Sequence, residues 1–525
     1  MSWEKPKESS LRSFLPAIIA VGGSALLVLL RIQVGGEHFI SDSALMMLAL
    51  ACYLTAAVFH LTNLYAPSNI AQKLGLWCTT AGVFFNLSSW GVRWVMAHDR
   101  ELQTFLGEGR TAADMPWAFR YIPFANLYDL SLAFAFGAGI TTLLIAHRKN
   151  FRFLGAISLP LAALILLLAR FIGSEFIDLP PVLDSYWRPI HVGIASLSYG
   201  ISLVCFAVAV IYLLKDGVKT EAMAIWSSIF GISIIATISK FSVFSPATFG
   251  TYTASTFIGD SRSPLGLRAD IPFVGWLLVA AGLLLTGTIL AFLKYLSQKD
   301  ETARIWGHRL LKLAFVAQAA SVAALVSGIK TMTNVVAHID PRQYERFSIW
   351  MMQQEKVAPD QIAQYSPQQL YSMADQWIHQ NGSLLKVSLK ANPVELSALI
   401  TALAATLFVI IFSFKTERLR AALPSAEKLD SLVYKLGGVA FAGLALLLMT
   451  GAIWANESWG RYWGWDSKET GAFVAWLTYG AFLHARISHG WHGRKSAYFA
   501  VIAFLLVIFT YLGVSYLLPG LHSYA

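Results

Sequence analysis

The stretch FLPAIIAVGGSALLVLL, residues 14–30, is an uninterrupted apolar run near the N-terminus. Similar runs of about 20 residues recur along nearly the whole chain, each long enough to cross a bilayer as an α-helix. The mean hydropathy is +0.56 and only 13% of residues are charged, whereas soluble proteins carry about a quarter. The sequence therefore predicts an all-α, polytopic transmembrane helical bundle. No small-residue cleavage site follows the first run, so we expect a spanning helix there rather than a cleaved signal.

Hydropathy predicts about thirteen spans. Their expected limits are 12–31, 43–64, 74–96, 125–146, 151–173, 191–214, 223–245, 272–296, 309–330, 394–414, 433–455, 472–488 and 496–518. With this count, the loops richest in Lys and Arg all fall on one side, which the positive-inside rule makes cytoplasmic. The N-terminus is then cytoplasmic and the C-terminus is external, or periplasmic in a bacterium.

The charge and the cysteines exclude several classes of function. The formal net charge is +10, but basic cytoplasmic loops account for it, so we expect a lipid bilayer and not nucleic acid as partner. Cys52, Cys78 and Cys205 lie inside apolar segments and no CxxC occurs. This pattern argues against a disulfide framework, a thiol relay and a zinc site.

A tryptophan-rich stretch, WGRYWGWDSKE at residues 459–469, is predicted to face outside between two spans. Its aromatic rings, with that of Trp454 just before it, can be interpreted in two ways. Tryptophan is enriched at membrane interfaces because its ring is amphipathic, and a cluster of flat rings can also form a binding platform. The charged residues of the stretch could pair with one another, or the acidic ones could cap the next helix; they are Arg461, Asp466, Lys468 and Glu469.

Three histidines occupy positions that suggest ligands. His191 and His522 are predicted at the outer surface, while His484 lies inside a span, roughly 18 Å from its outer end. A neutral imidazole is a common metal ligand and the usual axial ligand of haem iron. A single interfacial histidine is more often structural, and His60 and His308 have no spacing that supports a ligand role. Two outer histidines beside a tryptophan platform could nevertheless hold a flat macrocycle between them.

Basic side chains near the same surface could neutralise the propionates of such a macrocycle by charge-assisted hydrogen bonds. The candidates are Arg188, Arg461 and Lys468. The candidate platform consists of Trp459, Trp463 and Trp465, with Asp466 beside them. No protein nucleophile or general base is required by this arrangement.

Four segments resemble those of a known family. Residues 451–487, GAIWANESWGRYWGWDSKETGAFVAWLTYGAFLHARI, resemble the tryptophan-rich (WWD) signature of the CcsA/ResC family of System II cytochrome c biogenesis proteins. LPPVLDSYWRPIHV at 179–192 is similar to the family's first external histidine motif. IPFANLYDLSLAF at 122–134 and the tail YLGVSYLLPGLHSYA at 511–525 are similar to two further family segments.

This resemblance implies a function in the bacterial inner membrane. Proteins of the family carry haem b across the membrane and present it externally for thioether attachment to the CxxCH motif of an apocytochrome c, as part of a holocytochrome c synthase, or haem lyase. By motif position, His191 and His522 would be the external axial ligands of the haem iron. His484 would ligate haem at a deep site, whose second ligand would come from a CcsB/ResB-type partner subunit.

The sequence also departs from the family pattern. Ser467 replaces the proline of the usual WDPKETW, and Gly471 replaces its second tryptophan. We expect three regions: 1–217 with the first histidine motif, an inserted 218–428 of about four spans, and 429–525 with the tryptophan-rich motif. Within the insertion, the polar loop 331–393 could form a few short external helices. The layout of the insertion resembles that of the partner subunit in miniature, which we hold as a hypothesis.

Two other functions stay open on the sequence. The chain could export or deliver haem without ligase activity, which an assay for thioether formation would reveal. It could also be an ion-coupled transporter in which histidines relay protons and no haem binds, in which case the protein would lack a Soret band.

Overall fold

The computed structural model describes residues 14–36, 38–146, 148–176, 181–239, 243, 249–258, 265–271, 273–331, 336–339, 344–355, 364–381 and 393–514. Most of these residues are helical, which confirms the predicted class. The helices are α1 (Leu15–Val34), α2 (Asp42–Tyr65), α3 (Asn69–Gly107), α4 (Leu127–Ala146), α5 (Gly155–Ile172), α6 (Trp187–Lys215), α7 (Thr220–Ser239), α8 (Val274–Gln298), α9 (Glu301–Thr331), α10 (Tyr344–Gln354), α11 (Pro367–Asn381), α12 (Pro393–Ser413), α13 (Thr416–Ala422), α14 (Ala426–Trp459), α15 (Ser467–His489) and α16 (Arg494–Ile508). The strands are β1 (Tyr252–Ile258), β2 (Leu265–Ile271) and β3 (Val336–Ile339).

Among the described residues, 11 helices are long and apolar enough to cross a membrane. They coincide with eleven of the thirteen predicted spans, so the chain is a multi-pass membrane protein. The other two predicted spans, 74–96 and 472–488, coincide with α3 and α15, which are long but more polar. The count of thirteen and the orientation of the termini remain predictions.

The chain divides into two compact units. One consists of Met1–Val218 with Glu417–Ala525, and the other of Lys219–Thr416. The first unit therefore joins both ends of the chain, including α1–α6 and α14–α16. The division into 1–217, 218–428 and 429–525 remains a prediction.

Small residues let the helices of the first unit approach closely. A Cβ atom built on Gly200 of α6 would lie 2.5 Å from the backbone nitrogen of Ala138 in α4. A Cβ atom on Gly443 of α14 would clash with Ser198 Oγ in α6. Contacts between small residues bring helix backbones together in membranes, where dispersion forces rather than water drive packing. These two crossings fix α6 between α4 and α14.

A buried ion-pair network ties α2, α3 and α4 together. Arg93 is fully buried, and its guanidinium pairs with the Asp42 carboxylate at 3.1 Å and with the Asp129 carboxylate. It also donates a hydrogen bond to the Ser174 carbonyl oxygen at 2.7 Å. Since a buried guanidinium without partners is very costly, this network holds the start of α4 in one position.

The second unit contains a small antiparallel sheet that the sequence did not predict. Its order is β1-β2-β3, with Tyr252 opposite Ile271 and Leu267 opposite Ile339. The polar region 331–393 contributes β3 and, as expected, two short helices, α10 and α11. These helices pack around Phe347, which is fully buried.

Candidate functional site

A cavity in the first unit brings together two of the predicted motifs. Its walls come from α6, from the second half of α14, from the tryptophan-rich loop and from the first two turns of α15. Residues 124–127, before and at the start of α4, and residues 510–511, just after α16, complete them. The predicted site residues among its lining are His191, Trp459, Trp463 and Lys468. Helix packing thus places side chains from distant parts of the sequence around one space.

His191 lies in the second turn of α6 and is held from α14. Its Nδ1 atom lies 3.0 Å from the Leu447 carbonyl oxygen and 3.4 Å from Thr450 Oγ1. A carbonyl oxygen only accepts hydrogen bonds, so Nδ1 carries the proton in the neutral ring and Nε2 carries the lone pair. Histidine ligands of metals are commonly oriented by such a carbonyl.

Glycine at position 451 makes this contact possible. A Cβ atom there would lie 2.7 Å from His191 Cε1 and 3.0 Å from Nδ1. These separations are too short for ordinary packing, so α14 can support the imidazole at this distance only with glycine at this position.

The segment before α6 is also tied to α14. Ser185 Oγ donates to Glu457 Oε2 at 2.8 Å and accepts from the Trp187 backbone nitrogen at 3.1 Å. Arg188 Nη2 donates to the Arg120 carbonyl oxygen at 2.7 Å. The Ser185 bond holds the N-terminal end of α6 against the tryptophan-bearing end of α14, and the Arg188 bond holds it against the segment before α4.

The tryptophans divide into two groups. Trp454, Trp459 and Trp463 line the cavity, and the Trp454 ring centroid lies 5.7 Å from that of His191. Trp465 does not line it; its side chain is 69% exposed and meets Trp463 edge-to-face at 5.7 Å. The platform interpretation is thus favoured for the first group, whereas Trp465 supports Trp463 from outside.

The loop between α14 and α15 has a defined conformation. Gly460 ends α14 with φ +69°, and Trp465 adopts φ +55°, which is unusual for a bulky residue. Asp466 then caps α15, accepting from the Lys468 backbone nitrogen at 3.1 Å. Glu469 Oε2 accepts from the Gly464 and Asp466 backbone nitrogens at 2.8 and 3.2 Å. The acidic residues of the motif therefore cap a helix, one of the two alternatives left by the sequence.

The two basic residues of the motif differ in position. Lys468 lies ahead of the predicted span 472–488, lines the cavity and is half-buried. Burial lowers the pKa of Lys468 to about 8, although the Asp466 carboxylate favours its charged form. Arg461 is exposed and does not line the cavity; its guanidinium folds over the loop, 2.7 Å from where a Cβ atom on Gly464 would lie.

The other predicted histidines that the structure describes do not line this cavity. His484 lies on an exposed face of α15, where its Nδ1 is 3.4 Å from Ser488 Oγ. His522 lies outside the described residues. His60 is buried, and its Nε2 lies 3.2 Å from Thr79 Oγ1. His308 Nε2 lies 3.4 Å from Glu221 Oε1. Within the described residues there is no cluster of three or more His, Cys, Asp or Glu side chains suited to a metal ion.

Several lining residues were not predicted. Phe124 and Tyr511 lie inside quoted motifs, so their motif membership was a usable signal. Ser458 also lies inside a quoted motif, residues 451–487. Tyr199 carries no such signal, because its place in the wall depends on which face of α6 turns inward. Tyr511 is anchored by a hydrogen bond of 2.6 Å to Ser131 Oγ.

Fold and cavity together define a multi-pass helical membrane protein with a cavity walled in part by tryptophan and histidine. The sequence pattern of the Cytochrome C assembly protein family matches residues 124–291 and 394–522. Because these ranges cover more than half of the chain, the protein belongs to this family. Residues 292–393, which lie between the two ranges, do not match the family pattern. This unmatched interval is shorter than the predicted insertion, 218–428.

Individual relatives match over shorter lengths. The cytochrome c biogenesis protein CcsA of Prochlorococcus marinus (strain MIT 9515) is 57% identical over 98 residues, which is 19% of this chain and 31% of the relative. The protein of that name from Gloeobacter violaceus is 50% identical over 99 residues, 19% of this chain and 29% of the relative. That from Chlamydomonas reinhardtii is 36% identical over 166 residues, 32% of this chain and 45% of the relative. The chain thus spans less than half the length of each.

Proposed function

We propose that this protein acts in cytochrome c biogenesis in the bacterial inner membrane. In this proposal it carries haem b across the membrane as a substrate and presents it externally to the CxxCH motif of an apocytochrome c. The observation that carries the proposal is that His191 and the tryptophan-rich motif line one cavity, although they lie far apart in the sequence. The relatives named CcsA and the family membership support the same process.

The donor set of the cavity fits haem. The Leu447 carbonyl oxygen accepts from Nδ1 of His191 and so fixes the tautomer in which Nε2 carries the lone pair, a form in which histidine binds metals. The rings of Trp454 and Trp463 supply flat apolar walls, which exclude water from a macrocycle. Lys468 supplies a cation for a propionate, and a charge-assisted hydrogen bond of this kind is strong in a half-buried position.

The residues of the chain then have separate roles. His191 binds the iron and is oriented by α14, while the tryptophans hold the ring plane. Haem itself supplies the reactive vinyl groups, to which each apocytochrome thiol adds its sulfur and hydrogen across the double bond. The protein provides position and polarity for this step, as the holocytochrome c synthase activity implied by the family resemblance requires.

The other predicted ligands belong to the same proposal. His522 would be the second external axial ligand. His484 would ligate haem at a deep site, and its exposure on α15 suits a site completed by a CcsB/ResB-type partner subunit. We propose that Trp459 contacts haem directly. The other three predicted residues, Trp465, Asp466 and Arg461, contribute indirectly by holding the conformation of the loop.

The test is an absorption spectrum of the purified, detergent-solubilised protein from haem-replete cells, reduced and oxidised. We expect a Soret band with sharp reduced α and β bands, weakened or shifted in His191→Ala. His379→Ala is the matched control, because His379 is exposed on α11 in the other unit. Protein without any haem, or a His191→Ala spectrum identical to wild type, would refute the assignment of the site.

A second assay separates ligation from delivery. A CxxCH reporter is expressed with the protein and its partner in cells that lack their own cytochrome c maturation proteins. We expect covalent haem on the reporter, detected by haem staining after denaturation, and a loss in the His191→Ala cells. Haem-bound protein that yields no covalent product would instead support a haem-delivery protein.

A further inference from the structure

Trp454 and Ser458 each bring a buried polar atom to the cavity wall. Trp454 Nε1 and Ser458 Oγ have no hydrogen-bond partner among the residues that the structure describes. Both residues line the cavity. A buried donor without an acceptor is costly, and native proteins rarely keep one unless a ligand or water satisfies it. The two atoms therefore point to a polar ligand group at this wall.

The spacing of the two residues limits what that group can be. Positions four apart on a helix share a face, with Cβ atoms about 5–6 Å apart, so both side chains of α14 reach the same part of the cavity. The indole Nε1 only donates, while the serine hydroxyl can also donate. A single group that accepts two hydrogen bonds would satisfy both neighbouring donors, and a carboxylate has this geometry.

The charges around the cavity favour an anion. Its charged lining residues are Arg188, Lys468 and Glu469. The Glu469 carboxylate is already bonded by the Gly464 and Asp466 backbone nitrogens, and Arg188 donates to a backbone carbonyl oxygen. The lining thus contains two cations and one anion, and the anion is already bonded to backbone N–H groups. The resulting net positive charge lowers the free-energy cost of bringing a carboxylate into the cavity.

We infer that Trp454 and Ser458 form a carboxylate-binding edge of the cavity, which recognises a propionate of the tetrapyrrole substrate. The inference rests on the proposed function, because it takes the ligand of the cavity to be haem. The Trp454 ring lies 5.7 Å from the His191 ring, so a single macrocycle bound at His191 also reaches this edge. Trp454 then serves both as a wall for the ring and as a hydrogen-bond donor.

The test compares metal-free protoporphyrin IX with its dimethyl ester. Neither contains iron, so His191 ligation is removed from the measurement, and only the acid has carboxylates. Binding to the purified full-length protein is followed by porphyrin fluorescence. We expect wild type to bind the acid about tenfold more tightly than the ester, which corresponds to about 1.4 kcal/mol. Trp454→Phe and Ser458→Ala should each reduce this ratio several-fold, chiefly by weakening acid binding.

Two control variants accompany them. Trp476→Phe removes another buried, unpaired indole N–H, but Trp476 does not line the cavity, so the acid-to-ester ratio should not change. Ser458→Thr keeps the hydroxyl and should keep the ratio. Thermal unfolding of every variant shows whether a lost preference comes from a lost fold.

The outcomes separate the inference from the proposed function. If the ratio stays at the wild-type value in folded Trp454→Phe and Ser458→Ala, the carboxylate edge is refuted, even when the His191-dependent haem spectrum is intact. A wild-type protein that binds acid and ester equally also refutes it. If wild type binds neither porphyrin nor haem, the proposed function fails and the inference fails with it.

Discussion

Substituting alanine for Gly451 should disturb the cavity with a single methyl group. The new Cβ atom would lie 2.7 Å from His191 Cε1 and 3.0 Å from Nδ1. Carbon atoms pack favourably at about 3.5–4.0 Å, so the imidazole or α14 must move by about 1 Å. This movement is directed away from α14 and therefore lengthens the bond between His191 Nδ1 and the Leu447 carbonyl oxygen.

The free-energy change follows from three contributions. Overpacking costs about 1–3 kcal/mol, and the lost hydrogen bond costs about 1 kcal/mol. Replacing glycine by alanine inside a helix contributes about 1 kcal/mol in the opposite direction. We therefore expect the free energy of unfolding to fall by about 1–3 kcal/mol. Haem affinity should fall by tenfold or more, because the displaced ring no longer presents Nε2 correctly.

Gly438→Ala, in the same helix, is the matched control. A Cβ atom at Gly438 has no atom within 4 Å, so this variant should gain about 0.5–1 kcal/mol from helix propensity alone. Both variants are compared with wild type by denaturant titration in mixed micelles and by haem titration followed at the Soret band. Equal stability and equal haem affinity in the two variants would refute the packing of His191 against Gly451.

Three further substitutions test other parts of the first unit. Arg93→Met should lower the free energy of unfolding, measured by denaturant titration, by about 3–5 kcal/mol, because it leaves buried carboxylates unpaired. Adding Asp42→Asn to this variant should recover part of the loss. No recovery would contradict the pairing of Arg93 with Asp42. Burial lowers the pKa of Lys468 from its ordinary 10.5 to about 8. Between pH 8 and pH 10.5 the folded state therefore binds fewer protons than the unfolded state. Thermal stability should therefore rise as pH increases from 8 to 10.5, and Lys468→Met should remove that rise; an unchanged pH profile would contradict the burial of the ammonium. Asp466→Ala should lower the free energy of unfolding by about 1 kcal/mol, because α15 loses its N-terminal cap. Asp466→Asn keeps a capping side chain and should unfold at nearly the wild-type temperature. An equal loss of stability in both variants would contradict capping by Asp466.

The fold was predictable where burial in lipid dictates the pattern of residues. Apolar runs located the helices, but their ends depend on polar turns that hydropathy does not detect. The predicted span 74–96 is the central part of α3, which extends from Asn69 to Gly107. The predicted span 433–455 likewise lies inside α14. The pairing of β3 with β2 escaped prediction because the two strands come from distant parts of the sequence, whereas β1 and β2 form a local hairpin in a region predicted as a loop.

The candidate site was predictable in part. The motifs identified His191 and the tryptophan-rich loop, and the cavity that they share required the packing of α6 on α14. The roles of individual motif residues depended on local geometry, which separates Trp463 in the wall from Trp465 outside it. The unpaired atoms of Trp454 and Ser458 become visible only when the inward face of α14 is known.

The segment IPFANLYD shows why a functional motif need not consist of ligands. The Asp129 carboxylate accepts from the Ala125 backbone nitrogen at 2.9 Å, and Asn126 Oδ1 accepts from the Asp129 backbone nitrogen at 3.0 Å. The polar side chains of the motif are thus used within the turn itself, and Arg93 anchors them from α3. This turn contributes Phe124 and the adjoining residues 125–127 to the lining of the cavity. The Asn126 side chain is bonded to the Asp129 backbone nitrogen and to the Glu175 carbonyl oxygen, so it positions one wall of the cavity. Asn126→Ala should therefore alter the shape of the cavity by releasing this turn, and its thermal unfolding temperature should fall.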